Sequence, residues 1–287
     1  MDSIRLKARA KINLSLDVLG KREDGYHDVR MVMQTIGIYD RLIITKIPED
    51  EIRIQSNLFY LPINENNLIY KAAKLLKDEF GFAGGVDVNL NKFIPVAAGM
   101  AGGSTDAAAT LFGINKIYEL GLSQNKLMEL GVQIGADVPY CIMRGTALAE
   151  GIGEQLSRLK PVPHMWIVVA KPPINISTKL VYEQLDMNDI IYHPNVNKMI
   201  QAINKESIEE IAANMGNVLE RVTIPLYPII DSIKNDMLSH GAINAMMSGS
   251  GPTVFGIFPN ERTALNCQAY LKLKKEAKQV YITETFN

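Results

Sequence analysis

The sequence predicts an α+β protein built from two lobes. The chain has 287 residues, enough for two hydrophobic cores of ordinary domain size. Strand-like and helix-like segments are mixed without the regular alternation that predicts a doubly wound sheet. Four prolines cluster between residues 161 and 173 and indicate a lobe boundary near residues 155–172. We therefore expect one domain over residues 1–160 and a second over residues 161–287.

The composition excludes several classes of protein. Hydrophobic residues make up 47% of the chain and charged residues 21%, which is typical of a soluble globular protein. The formal net charge of −1 gives no indication of a nucleic-acid or membrane-surface partner. The one basic cluster, Lys272–Lys278, is typical of the solvated face of a late helix. No stretch has the length of a membrane span or the apolar core of a signal peptide, so we expect a soluble protein.

Cysteine usage indicates the compartment. Cys141 and Cys267 are the only two cysteines, and they lie far apart in the sequence. This spacing suits neither a zinc site nor a disulfide framework, and it is typical of a protein of the reducing cytoplasm. We expect each thiol to be a small buried hydrophobic group.

The first strand is predicted by strict alternation. From Ile4 to Val18, every even position is apolar and every odd position is polar. A period of two held this long predicts a half-buried strand. Lys11 and Asn13 therefore share the polar face, but the alternation alone does not distinguish Lys11 from the three basic residues before it on that face.

The remainder of the first lobe alternates between short strand-like and helical patterns. Alternating apolar residues predict further strands at 29–38, 41–47, 51–54 and 86–90. Apolar residues at helical spacing predict helices over 68–80 and 104–118, and over a segment from Ser123 as N-cap to Gly135 as its end.

The second lobe is predicted to contain more helix. A continuous apolar run at Met165–Ala170 predicts a buried strand. Helical spacing follows in three segments, at 196–204, 206–223 and 228–239. We then expect two strands on either side of Gly249–Gly251, another helix, and a last strand near 279–284.

A loop of small residues joins the strand predicted at 86–90 to the helix predicted at 104–118. It begins at Pro95 and contains Gly99, Gly102 and Gly103. Small residues allow backbone N–H groups to approach an anion closely, and the positive end of the next helix points to the same place. The loop has neither the Gly-Lys-Ser/Thr ending of a Walker A loop nor the GxGxxG spacing of a dinucleotide site. It predicts a phosphate site, the alternative being a tight turn that only packs the strand against the helix.

Three segments resemble the GHMP kinase superfamily, which includes galactokinase, homoserine kinase and mevalonate kinase. The loop followed by Ser104-Thr-Asp-Ala107 resembles the central motif of that superfamily. Met247–Thr253 resembles its third motif, and the first strand with Lys11 resembles its first. The three motifs occur in the superfamily's order and span almost the whole chain.

Shorter segments resemble one family within that superfamily, the 4-diphosphocytidyl-2-C-methyl-D-erythritol kinases. These segments are Lys11-Ile-Asn-Leu14, Asp24-Gly-Tyr-His27, Glu65-Asn-Asn-Leu-Ile69, Gly135-Ala-Asp-Val-Pro139 and Ala149-Glu-Gly-Ile-Gly-Glu154. The resemblance implies a two-lobed GHMP kinase fold, with an N-terminal mixed α/β lobe that binds ATP and a C-terminal ferredoxin-like α/β lobe. It also implies phosphorylation of the substrate's 2-hydroxyl, in the non-mevalonate route to isoprenoid precursors.

The resemblance further implies the cofactors and partners. The cofactors are ATP and Mg²⁺, and no metal-binding carboxylate is identified. The partner is a small-molecule substrate, a cytidine diphosphate sugar-alcohol, with no nucleic acid and no membrane. The expected state is a monomer or a homodimer.

The residues implied for catalysis are Lys11 and Asp137. An aspartate is ionised at neutral pH in an ordinary environment, so Asp137 can accept the proton of the attacking hydroxyl. The ammonium of Lys11 would keep that carboxylate ionised and stabilise negative charge on the attacking oxygen. Without the resemblance, Asp137 could equally be a helix-end cap or a turn former after Gly135.

The binding residues follow from the same resemblance. Asn13 would orient the substrate hydroxyls, Tyr26 would stack on the cytosine ring, His27 would bond its edge, and Tyr182 would lie on its other side. An ordinary loop pair at Tyr26 and His27, and a core tyrosine at Tyr182, remain alternatives. The residues expected to hold ATP are Pro95, Val96, Ala97, Ala98, Gly99, Met100, Ala101, Gly102, Gly103, Ser104 and Thr105.

The glycine-rich loop departs from the family pattern at two positions. Ala97 and Ala101 stand where the family commonly has glycine. Alanine tolerates positive φ poorly. We therefore expect negative φ at both alanines, or a slightly rearranged loop.

Three other functions compete with this interpretation. Another GHMP kinase would act on a different alcohol, such as homoserine or a mevalonate derivative, although the Tyr26-His27 pair favours a cytidine substrate. A non-catalytic nucleotide-binding protein with the same fold would be expected to lack the base or the loop. An NAD-dependent oxidoreductase is contradicted by the glycine spacing.

Overall fold

The computed structural model describes residues 1–287 and divides them into two compact units by internal packing. Unit 1 contains Met1–Ala10, Ile38–Val96 and Ala101–Arg144. Unit 2 contains Lys11–Gly37, Ala97–Met100 and Gly145–Asn287. The two longest strands contribute residues to both units. The expected division into domains 1–160 and 161–287 stays a prediction.

Strands and helices are mixed along the chain. The strands are β1 Ser3–Lys21, β2 His27–Ile47, β3 Ile52–Ser56, β4 Gly85–Asn91, β5 Thr146–Glu150, β6 Gln155–Arg158, β7 Trp166–Lys171, β8 Gly216–Asn217, β9 Asn244–Met247, β10 Val254–Phe258 and β11 Gln279–Glu284. The helices are α1 Leu68–Phe80, α2 Gly102–Ile117, α3 Gln124–Val132, α4 Val138–Met143, α5 Thr178–Glu183, α6 Val196–Asn204, α7 Ile208–Ala213, α8 Glu220–Leu226, α9 Ile229–Ser239 and α10 Glu261–Lys274.

Unit 1 combines paired strands with the four helices α1 to α4. The last third of β2 pairs antiparallel with β4, and β3 pairs parallel with the other edge of β4. Helix α1 packs against α2. Asn67 caps α1 by accepting a hydrogen bond from the Ile69 N–H at 2.9 Å, and Gly81 ends it in the left-handed conformation. These two residues explain why the helix has the bounds that the sequence predicts.

Unit 2 contains a second, antiparallel sheet of four strands in the order β11-β7-β10-β9. Helices α9 and α10 contact its strands. Its central strands β7 and β10 are buried almost throughout, as continuous apolar runs predict. In the same unit, β5 pairs with β2 over Met31–Gln34, and the short β8 pairs parallel with β1 at Ser15 and Leu16.

Two predicted elements differ in the structure. The strands expected at 29–38 and 41–47 are one continuous strand, β2. The prediction of one helix over 206–223 is wrong. Helix α7 ends at Ala213, the strand β8 follows, and a separate helix, α8, begins at Glu220. The extended segment is held by tertiary contacts, because β8 pairs with β1 and the Asn217 amide donates to the carbonyls of Met247 and Gly249.

Two further findings concern the helices and the cysteines. None of the ten α-helices combines the length and the apolarity needed to cross a membrane. Cys141 and Cys267 are both buried, as expected, and neither forms a disulfide. Burial, with a contribution from the charge of Asp236, raises the pKa of the Cys267 thiol to about 12, so this thiol is unreactive at neutral pH.

Candidate active site

Burial distinguishes Lys11 from the basic residues that precede it on β1. Arg5 and Lys7 are exposed, whereas Lys11 and Asn13 are 5% and 0% exposed. The Lys11 ammonium donates a hydrogen bond of 2.9 Å to the Asn13 side-chain carbonyl. From Lys11 to Asp17, the polar face of β1 is buried as well as the apolar face, so the expectation of a half-buried strand is wrong there. Buried polar groups are costly unless they are partnered, which makes this stretch a candidate site.

The backbone of the glycine-rich loop visits the left-handed region at alternate positions. The φ angles are 50° at Ala97, 69° at Gly99 and 55° at Ala101. The expectation of negative φ at the two alanines is therefore wrong. Alternation between right- and left-handed residues turns successive N–H groups toward one concavity, which is a common anion site. An alanine held there costs about 1–2 kcal/mol, so the loop keeps this geometry against local strain.

The helix after the loop also suits an anion. Helix α2 is 16 residues long, begins after Ala101 without a side-chain capping bond, and has no acidic residue in its first turn. The first backbone N–H groups of any α-helix have no acceptor within the helix, and the helix dipole places partial positive charge at this N-terminal end. A methyl group on Gly102 would lie 2.9 Å from the Lys92 ammonium, so this position must stay small. The start of α2 is therefore suited to a bound anion.

The three motif segments meet at Gly99 and Met100 within unit 2. The Lys11 N–H donates to the Met100 carbonyl at 3.3 Å. The Ser248 hydroxyl donates to the Gly99 carbonyl at 2.9 Å. A methyl group on Gly249 would lie 3.7 Å from the side-chain oxygen of Asn13. The first strand, the middle of the glycine-rich loop and the turn at residues 247–253, here called the late glycine turn, are thus in direct contact.

The late glycine turn is held by side chains that sequence reasoning missed. Asn217 donates to the carbonyls of Met247 at 2.9 Å and Gly249 at 2.8 Å. Glu220 accepts from the Met247 N–H at 2.7 Å and pairs with Lys234 at 2.6 Å. Asn217 and Glu220 lie where a single helix was expected, so no sequence signal identified them. They fix the backbone of the turn that contacts Gly99.

His27 and Tyr182 form a ring contact in unit 2. Their ring centroids are 5.2 Å apart with the planes inclined at 37°. His27 is 6% exposed, and its Nε2 is buried without a hydrogen-bond partner. Burial, followed by the charge of Lys21, lowers the pKa of His27, which favours the neutral imidazole. Tyr26 is 60% exposed, so its ring is accessible from solvent.

Tyr182 is positioned by the start of α5. Ser177 caps this helix by accepting from the Leu180 N–H at 3.3 Å. The hydroxyls of Thr178 and Ser250 are 2.8 Å apart and join α5 to the late glycine turn. The half-buried Tyr182 therefore lies on a helix that bonds the late glycine turn, and the same turn bonds Gly99.

Asp137 lies in unit 1, at the N-cap position of α4. Its side chain makes no capping hydrogen bond and is half-buried. The capping function that the sequence left open is therefore not what this carboxylate does. Lys11 belongs to unit 2, and its expected partnership with Asp137 stays a prediction.

Two family models match the chain. Residues 67–145 match the one described as GHMP kinases N terminal domain, and residues 199–277 match the one described as GHMP kinases C terminal. The first match contains the whole glycine-rich loop together with Asp137. The second contains Asn217 and the late glycine turn.

Named relatives cover the whole chain. The 4-diphosphocytidyl-2-C-methyl-D-erythritol kinase of Lachnospira eligens is 66% identical over 286 residues, covering 100% of this chain and 99% of that protein. The protein of the same name in Lachnoclostridium phytofermentans is 53% identical over 286 residues, covering 100% of this chain and 98% of that protein. A crystal structure of 4-(cytidine 5'-diphospho)-2C-methyl-D-erythritol kinase is 29% identical with a TM-score of 0.85, covering 99% of this chain and 100% of that one.

Proposed function

We propose that this chain, which belongs to the 4-diphosphocytidyl-2-C-methyl-D-erythritol kinase family of GHMP kinases, transfers the γ-phosphoryl group of ATP to the 2-hydroxyl of 4-diphosphocytidyl-2-C-methyl-D-erythritol. This membership confirms the resemblance and the α+β fold class. The observation that supports the activity best is that, within one unit, Lys11 bonds Met100 and Ser248 bonds the adjacent Gly99. The reaction would serve the non-mevalonate route to isoprenoid precursors.

The glycine-rich loop is proposed to hold the nucleotide. When bound, ATP with Mg²⁺ supplies the transferable group and neutralises charge on the phosphates. The backbone amides of residues 97–105 would hold those phosphates, because left-handed residues turn them toward one concavity and α2 starts without a cap. No group of three or more His, Cys, Asp or Glu side chains is arranged to hold a metal ion.

The catalytic roles are proposed for Asp137 and Lys11. Asp137, whose side chain is not used as a cap, would accept the proton of the 2-hydroxyl as the oxygen attacks phosphorus. The buried Lys11 ammonium would stabilise negative charge on that oxygen. Asn13 fixes the direction of the Lys11 ammonium and would orient the substrate hydroxyls with its amide.

Recognition of the cytidine end is proposed for His27, Tyr182 and Tyr26. The buried, unpartnered Nε2 of His27 offers a hydrogen bond to the edge of the base. An unpaired buried polar atom is costly, and a ligand that pairs with it removes that cost. Tyr182 contacts His27 and would stack on one side of the ring, with the exposed Tyr26 on the other.

The expected location and assembly stay predictions. The two buried cysteines, neither of which forms a disulfide, support a reducing cytoplasm. A monomer or a homodimer remains the expectation for the oligomeric state.

A panel of alcohols tests the proposed substrate. ADP release would be measured with Mg²⁺, ATP and either 4-diphosphocytidyl-2-C-methyl-D-erythritol, homoserine, mevalonate or no acceptor. Release confined to the cytidine compound supports the proposal. ADP release only with homoserine or mevalonate would indicate a GHMP kinase with a different substrate. If folded protein binds ATP but releases no ADP with any of these alcohols, a non-catalytic nucleotide-binding protein would be favoured.

A further inference from the structure

A buried cluster of three ionisable side chains lies next to the start of α2 in unit 1. The Lys92 ammonium contacts a carboxylate oxygen of Asp40 and, at 2.7 Å, one of Asp106. The three side chains are 4%, 0% and 4% exposed, respectively. A methyl group on Gly102 would lie 2.9 Å from the same ammonium, so the cluster touches the glycine-rich loop directly. Two carboxyl groups and one ammonium leave an uncompensated charge if all three are ionised.

The hydrogen-bond donors are shared unequally between the two carboxyl groups. Asp40 accepts from the Phe93 N–H at 2.6 Å, the Ile94 N–H at 2.8 Å and the Lys92 ammonium. Asp106 accepts from Lys92 with one oxygen only. Its other oxygen, Oδ1, is buried without a hydrogen-bond partner. A carboxylate that receives several donors is favoured as the ion, whereas a poorly solvated one is favoured as the neutral acid.

Charge balance leads to the same assignment. Two carboxyl groups that share a buried site cannot both ionise at low cost, so one of them keeps a proton. Burial raises the pKa of Asp106 well above its ordinary value, opposed by the charge of Lys92 and reinforced by the charge of Asp40 and a hydrogen bond to it. A hydrogen bond between two carboxyl groups also requires a proton on one of them. The two carboxylates hold the pKa of Lys92 above its ordinary value although burial alone would lower it.

We propose that Asp106 is a neutral carboxylic acid in the native protein, that Asp40 alone balances the charge of Lys92, and that this neutral cluster positions the start of α2 for the phosphates of ATP. The positioning part rests on the proposed function, but the charge assignment does not. A net negative charge below the first turn of α2 would repel a triphosphate, whereas the protonated cluster presents none. Asp106 is therefore a positioning residue that acts through Lys92 and Gly102.

The charge assignment predicts how stability changes with pH. The native protein keeps on Asp106 a proton that the unfolded chain releases above about pH 4. Since the native state binds more protons, the unfolding constant of the wild type rises by up to about tenfold per pH unit above that pH, until native Asp106 titrates. Asp106→Asn mimics the neutral acid and removes this dependence. The pH-dependent groups that face Asp106 are Lys92 and Asp40, and both are retained in that variant.

Denaturant unfolding of the wild type, Asp106→Asn and Asp40→Asn tests the assignment between about pH 5 and about pH 8. We expect the ratio of the wild-type and Asp106→Asn unfolding constants to rise with pH, and Asp40→Asn to be much the least stable. A ratio that does not change with pH would overturn the assignment. If Asp40→Asn fails to fold, the pH series with Asp106→Asn still decides the question.

Calorimetric titration with ATP and Mg²⁺ tests the positioning role. Asp106→Ala is expected to bind ATP at least about tenfold more weakly, and Asp106→Asn is expected to restore the affinity, because the neutral isostere keeps the bond to Lys92. Equal losses in the two variants would overturn this role. A wild type that binds ATP but phosphorylates no alcohol would refute the proposed function alone. A wild type that does not bind ATP would refute the positioning role as well and leave the charge assignment to the pH series.

Discussion

The hydroxyl of Ser248 donates a hydrogen bond of 2.9 Å to the carbonyl of Gly99, a residue 149 positions earlier in the sequence. The two backbones are so close that a methyl group on Gly99 would lie 2.1 Å from the carbonyl oxygen of Ser248. Only glycine fits such an approach. The glycine-rich loop and the late glycine turn are therefore fixed against each other by backbone contact, and either one transmits a displacement to the other.

The first prediction concerns Gly99→Ala. Gly99 has a φ of 69°, and its new methyl group would clash with backbone that Asn217 and Glu220 hold in place. We expect the loop to shift and ATP to bind at least about tenfold more weakly, as misplaced positioning groups commonly cost that much or more. The measurement is calorimetric titration with ATP and Mg²⁺.

Gly121→Ala is the matched control for Gly99→Ala. Gly121 has a φ of 68°, but nothing lies within 4 Å of its added methyl group. It should lose about 1 kcal/mol of stability through backbone strain and keep its ATP affinity. Equal ATP affinities in the two variants would show that the contact with Ser248 does not shape the nucleotide site.

The second prediction concerns Lys11→Met. The substitution removes a buried ammonium and leaves Asn13 without its donor. We expect kcat to fall by about 100-fold or more, which is the usual loss of a group that stabilises developing charge. Arg5→Met, on the exposed part of the same face of β1, is the control and should keep the wild-type rate. Equal rates for the two variants would remove Lys11 from the mechanism.

The third prediction concerns Tyr182. Replacing it by Leu removes an aromatic surface beside His27, and base stacking contributes about 1–3 kcal/mol. We expect KM for the cytidine substrate to rise by about 5–150-fold with KM for ATP unchanged. Tyr182→Phe keeps the ring and should stay close to the wild type. An equal rise of both Michaelis constants in Tyr182→Leu would indicate a general loss of structure instead.

The fourth prediction concerns pH and His27. Because burial lowers the pKa of His27, the unfolded chain takes up a proton below about pH 6.5 that the native protein does not. The native state is therefore expected to lose stability as the pH falls below about 6.5, by at most about 1.4 kcal/mol per pH unit from this group. His27→Asn should lack that component in denaturant unfolding measured from about pH 7.5 to about pH 5. Parallel profiles for the wild type and the variant would contradict it.

Local sequence patterns predicted the strands and helices whose bounds depend mainly on their own residues. The alternation of β1, the capped α1 and the last strand β11 were all visible in the sequence, because period, caps and short apolar runs are local properties. The glycine-rich loop was also visible. Its left-handed alanines were not, since alanine takes positive φ only when the surrounding structure imposes it.

Contacts between distant segments could not be predicted from one sequence. The break between α7 and α8 exists because Asn217 bonds a turn that lies 30 residues later. The buried polar face of β1 from Lys11 to Asp17 depends on segments that cover it, which alternation does not reveal. Asp40 and Lys92 carried no signal at all, because they pair across 52 residues.

The most direct test of the proposed function combines product analysis with one substitution. ATP, Mg²⁺ and 4-diphosphocytidyl-2-C-methyl-D-erythritol would be incubated with wild-type protein and with Asp137→Asn, and the position of the new phosphate would be read by phosphorus NMR. The account predicts a phosphate on the 2-hydroxyl, a turnover about 100-fold or more lower in the variant, and unchanged ATP binding with an intact fold. A phosphate on another hydroxyl, or full turnover by Asp137→Asn, would contradict it.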